Sequence, residues 1–553
     1  MKKVSLNSLT WSMLLCAGLL SACGGGGGGN GGGSAGGSSS GNASSAGNTS
    51  STGSAGASSA AGNPSSSVSS VATSSANTSA GSNTSSAAKS STGASSSAGN
   101  TSSAAASSSA GATSSAAASS SASSISAALG VTTGNPFAGA GMYVNPDYAA
   151  AVQQSVNTLT AGSNDARIAT AMKSLPTGVW IDRIDAIEGG ALNSGRLGVE
   201  GHLKEALAQQ KLKGGAMTIT FVVYDLPDRD CASAASNGEL NAATGGMSKY
   251  KTQYIDKLYS IFAKSEYKSL RITLVIEPDS LPNLVTNAGE GASIPACVTV
   301  KNNNTYVEGV QYAVGKFATL SNVYQYLDIA HSGWLGWDNN RARAVSYFKT
   351  WVGGIRNGDL SVIRGFVTNV ANYTPLDEPF FNGTADVVNT GGTTAFYEWN
   401  YMVDELSYVD KLRAEFVAAG FPSGLGFMID TGRNGWGSAL RPTAAAADVD
   451  NMRIDLRNHR GNWCNVRNTG VGARPKAAPD ASRSYLDAYY WVKGPGESDG
   501  TSDSSATSAN SEGKRFDVMC GSGNVDALQN APHAGHWFHD QFMMLVRNAW
   551  PAL

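Results

Sequence analysis

The stretch MTITFVVYDLPDRDC, residues 217–231, joins an unbroken run of mostly apolar residues to a cluster of acids. Its first eight residues are rich in β-branched and aromatic side chains, which is typical of a strand buried on both faces of a parallel sheet. Runs of the same kind follow at residues 270–276, 323–329, 363–370 and 425–429. The first run and its successors therefore predict a set of buried parallel strands.

Helical patterns lie between some of these runs. The first has apolar side chains at helical spacing, at Ile255, Leu258, Tyr259 and Phe262. The second has them at Val409, Leu412 and Phe416. We expect the second helix to end before Gly420, at the position after the last helical turn where glycine is favoured. Strands that alternate with helices indicate an α/β fold.

Polar residues collect at or just after the carboxyl ends of the predicted strands. They are Asp225, Glu277, Asp279, Asp328, Asn369 and Asp430. Polar groups at the ends of successive strands are typical of the catalytic mouth of a β/α barrel. An open, doubly wound sheet would gather them at one crevice, but no Gly-x-Gly-x-x-Gly motif follows a strand, which disfavours a dinucleotide site. We expect a distorted, TIM-like β/α barrel.

The amino-terminal part of the chain has a different character. Lys2 and Lys3 precede an apolar stretch too short to span a bilayer, as in a secretory signal. The four residues ending at Cys23 resemble a bacterial lipobox, so Cys23 is the predicted lipidation site. The alternative is an ordinary signal cut nearby, with Cys23 incidental. Three linked fatty chains would anchor the protein stably, and this is the only membrane contact that we expect.

A low-complexity tract follows the predicted signal. Residues 31–130 contain 40 Ser, and Lys89 is the only charged residue between Gly24 and Gly130. Such a tract has too few large apolar side chains to offset its ordering entropy, so we expect a disordered tether. The predicted domains are a lipoprotein signal at 1–22, a Gly/Ser-rich linker at 23–130 and a catalytic domain at 131–553.

Charge and length bound what the remainder can do. Residues 131–553 hold 36 Lys and Arg against 41 Asp and Glu, a formal charge of about −5. This acidic balance gives no electrostatic drive toward nucleic acid, so we expect no nucleic-acid partner. All 45 aromatic residues except Trp11 lie after residue 130. This part is long enough to bury a large core as one domain.

Four cysteines remain beyond the signal: Cys231, Cys297, Cys464 and Cys520. An even number in an exported chain suggests two disulfides, with three connectivities open. None of the four has zinc-site spacing, and the histidines form no His-Glu-x-x-His motif. We expect neither a metal nor another cofactor.

The acids of two strand ends indicate the chemistry. Asp225, Asp228 and Asp230 share one loop with Arg229, and a second strand delivers Glu277 and Asp279. Crowded carboxyl groups couple their ionisation, and like charges raise some of their pKa values. A carboxyl that stays protonated can donate to a leaving-group oxygen, as glycoside hydrolysis requires. The alternative, that these acids are simply ion-paired in loops, is the common fate of a single acid.

Tryptophans add a second indication. Trp334 and Trp337 lie in a glycine-punctuated loop, and Trp180 and Trp463 occur elsewhere. The flat faces of sugar rings are natural partners for exposed indoles, whereas core packing is the usual role of any one Trp.

These residues resemble glycoside hydrolase family 6, the inverting cellulases. The resemblance rests on two diagnostic strings, residues 222–238 and 274–282, and covers about residues 134–553. It also includes residues 327–337, 368–373, 463–465 and 491–500. It implies a distorted β/α barrel with a substrate tunnel or cleft over the strand ends.

The resemblance also implies catalytic roles. Asp279 would be the general acid that protonates the glycosidic oxygen. Asp230 beside it would keep that proton on Asp279 at working pH and would relay a proton from the attacking water. Asp499 occupies the position of the candidate base. Tyr224 would favour a distorted sugar, and Ser236 would help to hold the water.

The remaining correspondences concern substrate binding and disulfides. On the glycone side the matches are Trp180, Trp463, Lys493 and Glu497. On the leaving-group side they are His331, Trp334 and Trp337. Asp182 and Asn369 complete the predicted substrate-binding set. The implied disulfides are Cys231 with Cys297 and Cys464 with Cys520, each pinning a loop over the active site.

A long loop decides the expected mode of action. Residues 496–520 resemble the roofing loop of bacterial cellobiohydrolases, and a roofed tunnel favours release of cellobiose from non-reducing ends. An endoglucanase of the same family is the alternative, and a non-catalytic glucan-binding lipoprotein is a third reading. We expect a monomer that acts on cellulose and cello-oligosaccharides, exported and lipid-anchored at the outer membrane or cell surface, or otherwise secreted.

Overall fold

The computed structural model of the protein describes residues 134–289, 293–388 and 394–553. The predicted signal, the predicted linker and Cys23 lie outside the described residues, as do the first three residues of the predicted catalytic domain. Within the described part, no helix is both long and apolar enough to cross a membrane.

The described residues build one nine-stranded sheet. Its strands are β1 Ala140–Met142, β2 Val179–Ile181, β3 Ala216–Val223, β4 Leu270–Ile276, β5 Val323–Asp328, β6 Gly365–Thr368, β7 Gly426–Asp430, β8 Lys476–Ala477 and β9 Leu486–Tyr490. The strand order is β1-β3-β4-β5-β6-β7-β9-β8, and β2 also pairs with β3. Every pairing is parallel except that of β8 with β9.

The sheet curls on itself into a distorted β/α barrel, which confirms the predicted fold class. Side chains from one face of six strands meet in a single inner cluster that includes Val222, Val275, Tyr326, Val367, Met428 and Ala488. The Gly178 N–H, just before β2, donates to the Trp491 carbonyl, just after β9, at 2.9 Å. One side of the sheet therefore meets the other near the carboxyl ends of its strands.

The outer face of the sheet packs against helices in the main apolar core. The α-helices of the described residues are Pro146–Val156, Asn164–Met172, Asp185–Glu188, Val199–Lys213, Gly246–Lys249, Asp256–Phe262, Ser280–Thr286, Pro295–Asn302, Thr305–Phe317, Ser332–Leu335, Asp338–Gly353, Ala385–Val388, Thr394–Tyr397, Glu405–Ala418 and His539–Arg547. A π-helical turn, Tyr250–Ile255, leads into one of them, and 3₁₀ turns occur at Gly190–Asn193, Ala242–Thr244, Ser265–Tyr267, Leu360–Val362, Val449–Asn451 and Val518–Cys520.

Both segments with a helical pattern of apolar residues are helical in the structure. Leu258 and Phe262 are buried on the helix Asp256–Phe262. The helix Glu405–Ala418 begins after Asp404, whose carboxylate accepts the Ser407 N–H at 2.8 Å. It is followed by Gly420 at a φ of 108°, a backbone conformation that favours glycine. Its termination is therefore as the sequence predicts.

The predicted strands are present, with bounds that differ by one or two residues. The sequence analysis missed β1, β2, β8 and β9. The strand β9 escapes apolar pattern analysis because it carries a buried acid, Asp487, which accepts the Tyr326 hydroxyl at 2.6 Å and pairs with Arg364 at 2.6 Å. A buried charge that is paired and hydrogen-bonded is tolerated in a core strand.

Both disulfides implied by the family resemblance are formed. Cys231 is bonded to Cys297, and Cys464 is bonded to Cys520. The first ties the loop after β3 to the helix Pro295–Asn302, and the second ties the loop around Trp463 to the long loop at residues 496–520.

Candidate active site

A cavity of about 780 Å³ opens at the carboxyl ends of the parallel strands. All but one of the predicted catalytic and substrate-binding residues line it. They are Trp180, Asp182, Tyr224, Asp230, Ser236, Asp279, His331, Trp334, Trp337, Trp463, Lys493, Glu497 and Asp499. The fold thus brings together residues that are up to 319 positions apart in the chain.

Asn369 is the exception. Its amide donates to the Asp430 carbonyl at 2.9 Å and accepts the Thr374 N–H at 3.2 Å. It is fully buried and does not line the cavity. The side chain is therefore committed to the backbone of two neighbouring segments, and the structure offers no support for a direct contact with substrate.

Asp279 lies just beyond β4, in a left-handed backbone conformation with a φ of 64°. Its backbone N–H donates to the Asp328 carboxylate at 2.9 Å, which fixes the turn. Burial raises the pKa of Asp279 well above its usual range, and the carboxylates of Asp230 and Asp328 raise it further. The side chain is half-buried and lines the cavity, so its surroundings favour the protonated form of a carboxyl that faces the cavity.

Asp230 is buried in the loop after β3. One of its carboxylate oxygens accepts hydrogen bonds from the hydroxyls of Tyr224 and Ser236. Burial raises the pKa of Asp230, while these hydroxyls and Arg229 act against that rise. Asp230 and Asp279 thus form a coupled pair of acids at the ends of adjacent strands.

Arg229 organises the loop that carries Asp230. Its guanidinium donates to the carbonyls of Ser236 at 2.9 Å and Asp182 at 2.5 Å. It also lies 4.3 Å from the centre of the Tyr224 ring. The side chain is buried, so it acts as a fixed cross-link beneath the acids.

Asp499 differs from the other two acids because it is surrounded by donors. Lys493 donates to it at 2.6 Å and Arg433 at 2.8 Å. The Tyr373 hydroxyl and the Asn465 N–H donate to its other oxygen. Although burial alone would raise it, the pKa of Asp499 is lowered by the two cations, so this carboxylate is held ionised.

A second set of acids holds the strand ends rather than the substrate. Glu277 accepts the backbone N–H groups of Asp225 at 3.1 Å and Leu226 at 3.2 Å. Asp430 does the same for Ala371 at 3.0 Å and Lys493 at 3.1 Å. The strand-end acids that the sequence revealed are therefore divided between cavity groups and buried supports of the loops.

Aromatic residues lie on both sides of the acids. Trp180 and Tyr224 meet edge to face with ring centres 5.2 Å apart. On the opposite side, the Trp334 indole donates to the Thr286 hydroxyl at 2.8 Å, and the Trp337 indole donates to the Glu398 carbonyl at 2.7 Å. These bonds orient the two indoles while leaving both half-buried against the cavity.

Two other predicted binding residues have constrained charges. His331 is buried, and burial together with Arg457 and Arg460 lowers its pKa, so its ring is neutral. Asp182 pairs with Arg183 at 2.9 Å and with Lys514 at 2.9 Å, and it is ionised because these cations outweigh the effect of burial on its pKa.

Residues 496–520, here called the roof segment, contact the loop after β3. Asp517 accepts the Ala234 N–H at 2.7 Å, and Lys514 reaches Asp182 at the end of β2. Glu512 and Lys514 line the cavity. The roof segment is thus tied by a disulfide at its carboxyl end and by an ion pair six positions before that disulfide.

The cavity also has lining residues that the sequence analysis missed. They include Gln154, Arg196, Asn283, Asn340, Arg343 and His536. Gln154, Arg196 and His536 lie far from the predicted pattern in the sequence. Asn283, Asn340 and Arg343 lie within six positions of Asp279 or Trp337, but only the fold shows that they face the cavity. No group of His, Cys, Asp and Glu within the described ranges could hold a metal ion.

A β/α barrel with coupled carboxyl groups between aromatic walls defines a glycoside hydrolase class of site. The chain belongs to the family described as Glycosyl hydrolases family 6, whose model matches residues 137–549.

Three known proteins illustrate the relationship. Exoglucanase A of Cellulomonas fimi is 44% identical over 440 residues, which is 76% of this chain and 49% of that protein. The chain thus spans about half the length of that relative. The catalytic domain of Cellulomonas fimi Cel6B matches with a TM-score of 0.71 and 44% identity, covering 76% of this chain and 97% of that one. Cellobiohydrolase II (Cel6A) from Humicola insolens, in complex with glucose and cellotetraose, matches with a TM-score of 0.60 and 33% identity. The match covers 76% of this chain and 100% of that one.

Proposed function

We propose that the protein hydrolyses the β-1,4-glucosidic bonds of cellulose with inversion and releases cellobiose from non-reducing chain ends. The observation that carries this proposal is that Asp230 and Asp279, which follow adjacent strands, line one cavity with aromatic residues on either side. Burial raises the pKa of Asp279, which suits a proton donor. Relatives named as exoglucanase and cellobiohydrolase, one of them in complex with cellotetraose, support the substrate class.

Asp279 gives its proton to the oxygen that joins two glucosyl units, and the bond between that oxygen and the anomeric carbon breaks. A water attacks the anomeric carbon from the opposite face, which inverts its configuration. Ser236 helps to hold the water, and its surplus proton passes toward Asp230. The hydroxyl of Ser236 already donates to Asp230, which supports this route.

Asp499 has the position of the candidate base, yet its contacts support a second role. A general base works best with a pKa near the working pH, whereas the pKa of Asp499 is lowered. Two cations and two further donors occupy its oxygens. We therefore favour Asp499 as the acceptor that fixes Lys493, a cavity-lining cation, in place beside the substrate.

The remaining residues bind the chain on either side of the broken bond. Tyr224 crowds the sugar at the cleavage position, and its edge contact with Trp180 supports a rigid wall. Trp463, Lys493 and Glu497 complete the glycone side. Burial raises the pKa of Glu497, and Lys493 acts against that rise. In either protonation state its carboxyl can bond sugar hydroxyls.

The contacts of the roof segment support an exo mode of action. A roof tied at Cys520 and Lys514 admits a chain end more readily than the middle of a chain. An endoglucanase of the same family is the competing reading. On carboxymethylcellulose, a large loss of viscosity for each reducing end formed would favour that alternative.

The deciding experiment is the product profile from cellohexaose, with the anomeric configuration followed by proton NMR. We expect cellobiose as the main product and the α-anomer first. Glucose and cellotriose as early major products would contradict the exo proposal, and a β-anomer formed first would contradict inversion.

The amino-terminal segments complete the proposal. We propose that residues 1–22 direct export, that Cys23 becomes lipid-modified, and that residues 23–130 tether a monomeric catalytic domain near the outer membrane or cell surface. The two disulfides fit an exported protein. Metabolic labelling with a fatty acid tests the anchor: incorporation should be lost in Cys23→Ser, and an unlabelled parent protein would refute lipidation.

A further inference from the structure

Trp399 is an exposed tryptophan held in an unfavourable backbone conformation. Its relative exposure is 52%, whereas Trp334 and Trp337 are half-buried. Glu398 and Trp399 both have positive φ values, of 48° and 58°. Such a conformation is uncommon for a bulky residue and persists only where the surroundings impose it.

The surroundings of Trp399 are rigid and lead directly to the cavity. The preceding carbonyl, that of Glu398, accepts the Trp337 indole N–H at 2.7 Å. The following side chain, the buried Asn400, donates to the Ser332 carbonyl at 2.7 Å. The segment is thus fastened on both sides of Trp399 to the element that carries Trp334 and Trp337.

Polar groups accompany the exposed indole. Glu398 lies 3.5 Å from His459, and both side chains are about half exposed. An aromatic face beside a carboxylate and an imidazole matches the two kinds of surface on a glucosyl unit, an apolar ring face and a rim of hydroxyls. A lipid acyl chain has no groups that would use these hydrogen-bonding side chains.

We propose that Trp399 is an outer binding site for the glucan chain, where a glucosyl unit stacks beyond Trp337 on the leaving-group side. This inference rests on the proposed function, because it takes the same β-1,4-glucan as the ligand. The site engages chains long enough to pass Trp337 and adds little for a short oligosaccharide.

The test compares Trp399→Ala with Trp550→Ala in the full chain. Trp550 is a matched control, because it is 51% exposed, does not line the cavity and stacks on Arg441 instead. For each protein, turnover of amorphous cellulose is divided by turnover of cellotetraose. We expect this ratio to fall roughly three- to tenfold in Trp399→Ala, as loss of one aromatic stacking contact implies, and to stay at the parent value in Trp550→Ala.

Trp399→Phe separates stacking from a merely structural role, because it keeps an aromatic face. The ratio of cellulose turnover to cellotetraose turnover in Trp399→Phe should therefore be close to the parent value. An unchanged ratio in Trp399→Ala, or an equal fall in Trp550→Ala, would overturn the inference.

A binding measurement separates this inference from the proposed function. In an Asp279→Asn background, adsorption to amorphous cellulose needs no turnover, and we expect Trp399→Ala to weaken it roughly three- to tenfold. Weakened adsorption with an inactive parent enzyme would reject the proposed function and keep the site. Unchanged adsorption with an active parent would reject the site alone.

Discussion

Replacement of Asp279 by Asn removes the proton that the proposed reaction needs and little else. The backbone N–H of residue 279 still donates to Asp328, so the turn keeps its geometry. General acid catalysis contributes about 100- to 10,000-fold, so turnover of cellotetraose should fall by that factor, or by about 2.7–5.4 kcal/mol of barrier. Binding of cellotetraose should remain near the parent value.

The leaving group supplies the control for this prediction. With a dinitrophenyl β-cellobioside, the dinitrophenolate leaves without protonation. Turnover of this substrate by Asp279→Asn should therefore fall less than about tenfold. Initial rates on the two substrates, measured with the same enzyme preparation, give the comparison. Equal losses on both, or substantial residual turnover of cellotetraose, would refute the role of Asp279 as general acid.

Stability gives an independent check on the same carboxyl. Because the folded-state pKa of Asp279 is raised above its ordinary 3.8, its ionisation destabilises the fold as pH rises through the raised value. Below pH 3.8 the parent protein and Asp279→Asn should therefore have similar thermal midpoints. At pH 7 the thermal midpoint of Asp279→Asn should equal or exceed that of the parent, and a clearly lower midpoint would contradict the raised pKa.

Two further predictions concern the surroundings of the acid. Asp328→Asn keeps an acceptor for the Asp279 N–H but removes a carboxyl whose own pKa is raised by burial to about 7. The pKa of Asp279 should therefore drop, and the alkaline limb of the pH–rate profile should move to lower pH. A limb that stays in place would contradict this coupling. Lys514→Met breaks the 2.9 Å pair with Asp182 that ties the roof segment. The viscosity loss per reducing end on carboxymethylcellulose should therefore rise roughly twofold or more. The control is Lys251→Met, at a surface ion pair outside the cavity, which should show the viscosity loss of the parent.

The sequence reveals much of the barrel because parallel strands buried on both faces are continuous apolar runs. The run before Asp225 and the run before Glu277 are visible for this reason. The strand β9 interrupts its run with Asp487, and β2 has only three residues, so neither has a recognisable pattern. Their places become evident only where β7 and β3 provide hydrogen-bonding edges.

The candidate site shows the same division. Carboxyl groups at strand ends are visible in the sequence, but their separate tasks are not. Glu277 and Asp279 are two positions apart, yet one accepts backbone N–H groups and the other lines the cavity. Asn369 has the same strand-end position as its neighbours, and its side chain is consumed by backbone contacts.

By itself, the sequence determined the α/β class, the acids that could carry the chemistry, the aromatic partners and the family resemblance, because each depends on residues close together along the chain. Only the tertiary structure decided which acids hold protons and which are ionised. That difference comes from partners distant in sequence. The pKa of Asp499 is lowered by Arg433, 66 positions away, and the pKa of Asp279 is raised by Asp230, 49 positions away. A pKa depends on burial and on charges within a few ångströms, and these distances exist only once the barrel has curled.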